Sequence, residues 1–505
     1  MLSRIFSCGV RGAEGYPVMV ELDLANGLPG FTTVGLPDGA VRESRDRVCA
    51  AVRNSGFKFP HRRITVNLAP AQTRKQGSHF DLPIAVAVLA ASGQLPPGDW
   101  SRRLAFAGEL ALDGTLRSVR GALAMAAAAE VCGVSGIVVP KENASEAASA
   151  GLCAYGAASL REVVESLAGS GLDRVLPSGG AALECGASVD FSEVRGQPVA
   201  KRALEIVAAG GHHVLLIGPP GSGKSMLAKR MPTILPDLAP GEALEVTRIH
   251  SACREKPLVG LMTRRPFRAP HHSASQAALI GGGPFARPGE VALAHGGVLF
   301  LDELAEFNRP ALESLRQPLE DGVVVVARAK ETVEYPSRFC LVAATNPCPC
   351  GWLGHPTRSC VCTPPAVDRY VSRLSGPLLD RIDVQVEVSP VPFEAWSAAS
   401  SLEEGSSQIR ARVQAARLRQ KERFAHADFA VNAFMPAKDL RRLCGVDASG
   451  LQTLEHAARK FSFSARSLDR ILRVARTIAD LAGAEKVEVR HLTEAMQYRC
   501  LERLR

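Results

Sequence analysis

The sequence predicts an α/β protein in three parts: a mixed α/β domain over residues 1–168, an α/β core of parallel strands over 190–392, and an all-helical domain over 393–505. Three observations carry this reading. Short unbroken apolar runs at His213–Ile217, Val298–Leu301 and Cys340–Ala344 alternate with helical patterns, as the strands of a parallel sheet buried on both faces do. A glycine-rich octet stands between the first of these runs and a helical segment. After Pro390–Pro392 only helical patterns remain, at Ser407–Arg423, Gly450–Lys460, Leu468–Ala482 and His491–Leu504.

At 505 residues the chain is too long for one core, and 46% apolar with 22% charged residues excludes a largely disordered chain. The N-terminus lacks the apolar stretch of a signal peptide, and Leu82–Ala91 and Ala122–Ala129 are too short to span a bilayer. A cytoplasmic protein with no membrane partner is expected. Thirteen cysteines would there be reduced, so a local cluster of them points to metal before disulfides. The formal charge of +9 is uneven: residues 401–505 hold 20 Lys/Arg against 13 Asp/Glu, a net of +7. That suits a polyanion such as nucleic acid, although a solvated helical surface accounts for it equally well.

In chain order, Arg63–Leu68 and Ile137–Val139 read as strands of the first domain and Ile84–Ala91 as a buried helix. The Gly-, Ser- and Pro-rich stretch 169–189 reads as a linker. His213–Ile217 then runs into Gly218-Pro-Pro-Gly-Ser-Gly-Lys-Ser225 and the helical Met226–Met231, which is the G-x-x-x-x-G-K-[ST] pattern in its strand–helix setting. Glycines let backbone N–H groups turn inward around phosphate oxygens, and the helix N-terminus adds partial positive charge. Gly218, Pro219, Pro220, Gly221, Ser222 and Gly223 would cradle the phosphates, Lys224 would reach the β- and γ-phosphates, and Ser225 would ligate Mg²⁺. Val298–Leu301 delivers Asp302 and Glu303 to the carboxyl end of its strand. There Asp302 would hold Mg²⁺ through water and Glu303 would polarise the attacking water, which Asn346 can orient from the end of the next strand. No N-K-x-D guanine-reading motif is present, which favours ATP over GTP.

Cys348, Cys350, Cys360 and Cys362 place four thiols within the loop 346–364, with His355 between the pairs. Two C-x-C pairs match a closed tetrahedral Zn²⁺ site, and a loop of free thiols is the alternative. A zinc knot there would hold Arg358 and Arg369 toward DNA, so its loss is expected to weaken DNA engagement more than ATP binding. Val323–Ala327 and Thr332–Tyr335 flank Arg328-Ala-Lys330, a β-hairpin pattern whose tip cations Arg328 and Lys330 either grip DNA phosphates or simply meet solvent.

Through Arg268-Ala-Pro-His-His-Ser-Ala-Ser-Gln276, Ala327-Arg-Ala-Lys-Glu331, Asn346-Pro-Cys-Pro-Cys-Gly351 and Gly376-Pro-Leu-Leu-Asp-Arg-Ile-Asp383, the sequence resembles the magnesium-chelatase-like branch of AAA+ ATPases. Within that branch it resembles the ComM/YifB group, over essentially the whole chain. The resemblance implies that Asn346 is sensor 1, Arg381 the arginine finger given to a neighbouring subunit, and Arg466 sensor 2, with Arg470 a rival for the last role. An arginine supplied in trans implies a homohexamer. The family association implies branch migration on single-stranded or branched DNA during uptake of transforming DNA. The first domain is similar to the proteolytic domain of Lon through Gly108–Gly114, Val119–Ala122 and Val138–Asn143. Gly121–Met125 lacks Lon's lysine and Asp81 stands where the nucleophile would, which implies a degenerate, non-proteolytic domain. Competing expectations are a chelatase motor that drives Mg²⁺ into a porphyrin and an ATP-dependent Lon-like protease.

Overall fold

The computed structural model describes residues 1–177, 189–253, 258–283, 286–328, 331–392, 403–427 and 429–499. The chain forms two compact units, one of residues 1–183 with 239–263 and the other of 184–238 with 264–505. No helix among the described residues is long and apolar enough to cross a membrane.

The first unit is built on an eight-stranded sheet. Across it lie Arg174–Val175, Cys153–Ala157, Gly136–Pro140, Leu104–Phe106, Leu2–Arg11, Glu14–Ala25, Arg63–Ala69 and Gly30–Val34. In Glu14–Ala25 the buried Val18, Val20, Leu22 and Leu24 alternate with the less buried Met19, Glu21 and Asp23, which puts one face of the strand in the core. Gly136–Pro140 is buried at every position: Ile137 and Val139 share a core with helix Ala122–Val131, and Val138 shares another with helices Asp81–Ala91 and Leu160–Glu165. Helix Asp81–Ala91 is apolar all round and buried at ten of its eleven positions, so it lies inside the unit. The strand Arg174–Val175 falls in the stretch expected to be linker.

Asp81 is fully buried, where Arg47 Nε and Nη2 reach it at 2.7 and 3.0 Å and Leu110 N–H at 3.3 Å. Burial pushes its carboxyl up to about 6 against the opposing pull of Arg47. A carboxylate held by three donors inside a core is a structural anchor.

Helix Pro240–Cys253 and the residues after it, which the sequence places inside the nucleotide-binding core, fold with the first unit. Gly121 N–H donates to Ser251 O at 3.3 Å, and Ser251 Oγ is bonded to the buried Glu146. Helical periodicity alone does not say which core a helix joins.

The second unit holds a five-stranded, all-parallel sheet in the order Phe267–Arg268, Val298–Leu301, Cys340–Thr345, Val214–Ile217, Val384–Glu387. The three expected strands are present and buried throughout. The helices Ser406–Arg423, Ala437–Cys444, Ala448–Phe461, Ala465–Leu481 and Val489–Gln497 follow. Ile409, Val413, Ile471 and Ile478 share one core with Leu204, Val207 and Val214, so sheet and helices solidify together. Ala437–Cys444 was not expected; with eight residues and only Leu440 and Cys444 buried, it shows too few turns for its period to be read. The expected hairpin is present as Val323–Arg328 paired with Glu331–Pro336.

Candidate nucleotide site and cysteine-rich loop

The strand order brings three carboxyl ends side by side: Ile217 into the glycine-rich loop, Thr345 into Asn346, and Leu301 into Asp302 and Glu303. In such sheets ligands bind beyond the carboxyl ends. Gly218 lies so close to the backbone just after strand Val384–Glu387 that a Cβ there would sit 2.2 Å from Val388 O, and Gly223 turns into helix Lys224–Ile234 with φ of +93°. Only glycine meets both demands. Ser222 Oγ is buried with no partner, a polar atom aimed into a loop of the kind that binds phosphate.

Lys224 is buried, and its Nζ donates to Gly218 O at 2.6 Å, Pro219 O at 2.8 Å and Asn346 Oδ1 at 3.3 Å. Burial lowers its pKa, opposed by Asp302 and Glu303. Ser225 Oγ donates to Asp302 Oδ2 at 2.6 Å, so the two residues expected at Mg²⁺ already share one point in space. The donor set, two hard oxygens beside a phosphate cradle, fits Mg²⁺.

Glu303 has a left-handed backbone, φ +52°, which residues other than glycine rarely adopt. Its carboxylate lies 3.2 Å from His272 Nδ1. His272 follows the edge strand Phe267–Arg268, on the far side of Val298–Leu301 from the phosphate loop. The two adjacent acids are therefore drawn in opposite directions, Asp302 toward Ser225 and Glu303 toward His272. His271 packs against His272 with ring centroids 4.0 Å apart. His272 lies in the Arg268–Gln276 segment, whose sequence assigns it no role; proximity to Glu303 supplies one. Gln197 was missed as well. It has φ of +59° and its Nε2 donates to Ser222 O at 3.3 Å and to Ser389 O, tying the loop to the strand's exit.

The arginines divide. Arg381 is largely buried, bonded to Glu320 and to Pro377 O at 2.7 Å. Arg470 is committed to the buried Asp383 at 2.6 Å and to Arg381 O at 3.1 Å. Arg466 stands exposed in the first turn of Ala465–Leu481, whose N-cap Ser464 accepts from Ser467 N–H. Of the hairpin tip, the side chain of Arg328 and all of Lys330 lie outside the described residues.

Cys348, Cys350, Cys360 and Cys362 converge, with all four Sγ atoms within 4.8 Å of one another. Cys348–Cys350, Cys350–Cys360 and Cys348–Cys360 lie at 3.5, 3.6 and 3.7 Å. A tetrahedral ion with metal–sulfur bonds of about 2.3 Å requires sulfurs about 3.8 Å apart, so the cluster can hold a metal ion. Backbone N–H groups of Trp352 and Val361 hold the Cys350 thiol down to about 6, while Cys360 and Cys362, which share hydrogen bonds with it, are pushed up, so it is the convergence of the sulfurs that marks the site. His355 is no ligand: its Nδ1 accepts from the N–H groups of Thr357 and Arg358 at 3.2 and 3.1 Å. Arg358 stacks over Trp352 at 4.3 Å. Between this loop and the phosphate loop lies a cavity of about 660 Å³, lined by Gly218, Pro219, Asn346, Leu353 and Tyr370 among others.

Comparison with known proteins covers nearly the whole chain. Residues 190–396 match the family model of magnesium chelatase, subunit ChlI; residues 20–143 match that of subunit ChlI of Mg-chelatase; and residues 403–499 match the ChlI C-terminal model. The chain is 42% identical to competence protein ComM of Haemophilus influenzae over 100% of its own length and 98% of the relative's. It is 43% identical to YifB of Escherichia coli over the same shares. A magnesium-chelatase 67 kDa subunit of Chlorobaculum parvum is 28% identical, over 32% of this chain and 23% of the relative.

Proposed function

Because the chain belongs to the ComM/YifB group of magnesium-chelatase-like AAA+ proteins, we propose that it hydrolyses ATP with Mg²⁺ and spends that energy moving on DNA, as a cytoplasmic homohexamer that drives branch migration. The observation that carries the ATPase half is the convergence of Lys224, Ser225, Asp302 and Asn346 at adjoining strand ends. In this reading Lys224 neutralises the β- and γ-phosphates, and Ser225 with Asp302 holds Mg²⁺. Glu303 activates water oriented by Asn346, Arg381 serves the neighbouring subunit's site, and Arg466 closes on the phosphates. Arg466 is preferred to Arg470 as sensor 2 because Arg470 is already spoken for by Asp383.

The DNA half rests on full-length similarity to a protein named for competence and on the basic C-terminal segment, with Arg328 and Lys330 as the contacts. The Cys348–Cys362 cluster takes Zn²⁺ in this reading, since four thiolates select a soft, tetrahedral ion. The first unit is a Lon-like fold that has lost proteolysis, supported by the anchoring of Asp81 to Arg47. The chelatase reading is weaker, because the magnesium-chelatase 67 kDa subunit of Chlorobaculum parvum aligns with only 32% of this chain, whereas ComM and YifB align with all of it. The deciding experiment measures ATP turnover by the purified protein with and without forked DNA. Stimulation by the fork supports a DNA motor; turnover indifferent to DNA at low salt sinks it.

A further inference from the structure

The sequence suggests that the cysteine loop serves DNA and leaves nucleotide binding alone. The geometry points elsewhere. We infer that the four-cysteine loop is a metal-dependent brace on the phosphate loop, so that a thiolate-bound divalent ion and the nucleotide strengthen each other's binding. This rests on the reading of Gly218–Ser225 as the nucleotide site.

The connection is short and can be followed atom by atom. Thr345 ends a buried strand, and the next residue, Asn346, accepts a hydrogen bond from Lys224 Nζ at 3.3 Å. Two residues further on is Cys348, fully buried, with its Sγ 3.5 Å from that of Cys350 and 3.7 Å from that of Cys360. Gly351 N–H donates to Cys348 O at 3.0 Å and closes a turn, with Gly351 at φ of +82°. That turn presses on the phosphate loop: a Cβ on Gly351 would lie 2.6 Å from Pro220 Cδ and 2.9 Å from Pro220 Cγ. The metal-binding turn thus has the phosphate loop's proline on one side and the residue that meets Lys224 at its start.

The stretch from Cys348 to Cys362 contains no helix or strand. What orders it, besides the sulfurs and the Gly351 turn, is contacts within the loop, among them His355 with two N–H groups and with the Trp352 ring, and Arg358 on Trp352. A four-coordinate ion supplies most of the restraint such a loop has. Without the ion, the sulfurs keep only weak S–H···S contacts at 3.5–3.7 Å, the turn at Gly351 is released, and Pro220 and Asn346 lose their backing. Because coupling between two sites is reciprocal, a metal that tightens nucleotide binding by some factor is itself tightened by nucleotide by the same factor.

The test uses the full-length protein, zinc as the metal and a fluorescent ATP analogue with Mg²⁺. Zinc content is read by elemental analysis, and nucleotide Kd is measured for zinc-loaded protein, for chelator-stripped protein and for stripped protein given zinc back. We expect about one zinc per chain, nucleotide binding at least about fivefold weaker after stripping, recovery on re-addition, and slower zinc release to a chromogenic chelator when nucleotide is bound. Gly351→Ala keeps all four ligands and separates the mechanical link from the metal itself: it should retain zinc and still weaken nucleotide binding. Equal Kd with and without zinc in folded protein, zinc release indifferent to nucleotide, an unchanged Kd in Gly351→Ala, or no zinc bound at all would each overturn the brace. Zinc-loaded protein that binds no nucleotide refutes the nucleotide-site reading instead, so the two failures are told apart.

Discussion

Arg470→Ala tests whether this arginine senses nucleotide or holds the second unit together. Asp383 is 3% exposed and takes Arg470 Nη1 at 2.6 Å, His212 Nδ1 at 3.3 Å and His213 N–H at 3.2 Å. Burial alone would raise its pKa, yet Arg470 and the two histidines hold it well below the usual carboxylate range. Arg470 is itself 17% exposed, so solvent screens the pair little. Removing one partner of a buried pair leaves an uncompensated charge and costs about 3–5 kcal/mol, a shift of roughly a hundredfold to a few thousandfold in the ratio of folded to unfolded chain. The loss should appear in urea unfolding followed through Trp352, with Trp100 and Trp396 replaced by Phe. The double variant Arg470→Met with Asp383→Asn should recover most of it, because the buried charges leave together. An Arg470→Ala protein within about 1 kcal/mol of wild type but with turnover abolished would refute this reasoning and return Arg470 to the nucleotide.

Other expectations follow from the same site. Lys224→Ala should lose nucleotide-driven activity, and Glu303→Gln should bind nucleotide but stall hydrolysis; wild-type turnover in Glu303→Gln removes that residue as water activator. His272→Ala should raise turnover in the absence of DNA with KM unchanged, since it frees Glu303 from the side away from the phosphate loop. A rate that falls instead would make His272 a support for Glu303. Arg381→Ala should cut turnover by about tenfold or more. Mixing it with Lys224→Ala subunits should restore some activity, and no recovery in rings shown to be mixed excludes a finger given in trans. His213 is buried, its Nδ1 accepts Leu341 N–H at 3.1 Å, and burial pushes its pKa down to about 4. Between pH 6.5 and 4 the unfolded chain therefore binds more protons. This stability is complete above about pH 6.5 and lost as pH falls toward 4, about 2 kcal/mol by pH 5. His213→Gln should flatten the dependence of the second unit's urea midpoint on pH between 7 and 5, and an unaltered slope would exclude His213 as its source.

What could be read from the residues alone was the part written in short range. Val298–Leu301 lies where its unbroken apolar run put it, and Lys224 follows its strand and loop as the octet requires. The cysteine cluster was legible because its members are near in sequence, and the structure adds that the sulfurs meet. Long-range facts were not legible. His272 and Glu303 are thirty-one residues apart, and nothing in either segment says that the edge strand carries one to the other. The commitment of Arg470 to Asp383 joins a helix to the residue before a strand across eighty-seven positions, and charge patterning cannot choose between Arg466 and Arg470. The same holds for Pro240–Cys253, whose apolar residues suit either unit's core equally well.

That last helix bears on how the protein is made. The first unit needs Ser251 to satisfy Gly121 and Glu146, so it is incomplete until residues 239–263 have left the ribosome. By then the strand Val214–Ile217, the glycine-rich loop and helix Lys224–Ile234 have already emerged, far ahead of the strands that flank them. A nascent chain must therefore shelter an unpaired central strand while an earlier unit waits for its last piece, an interval in which exposed apolar surface invites chaperones. A fragment cut at the apparent linker inherits the same difficulty permanently: residues 190–505 expressed alone would carry a helix whose partners are missing, and residues 1–189 would lack it.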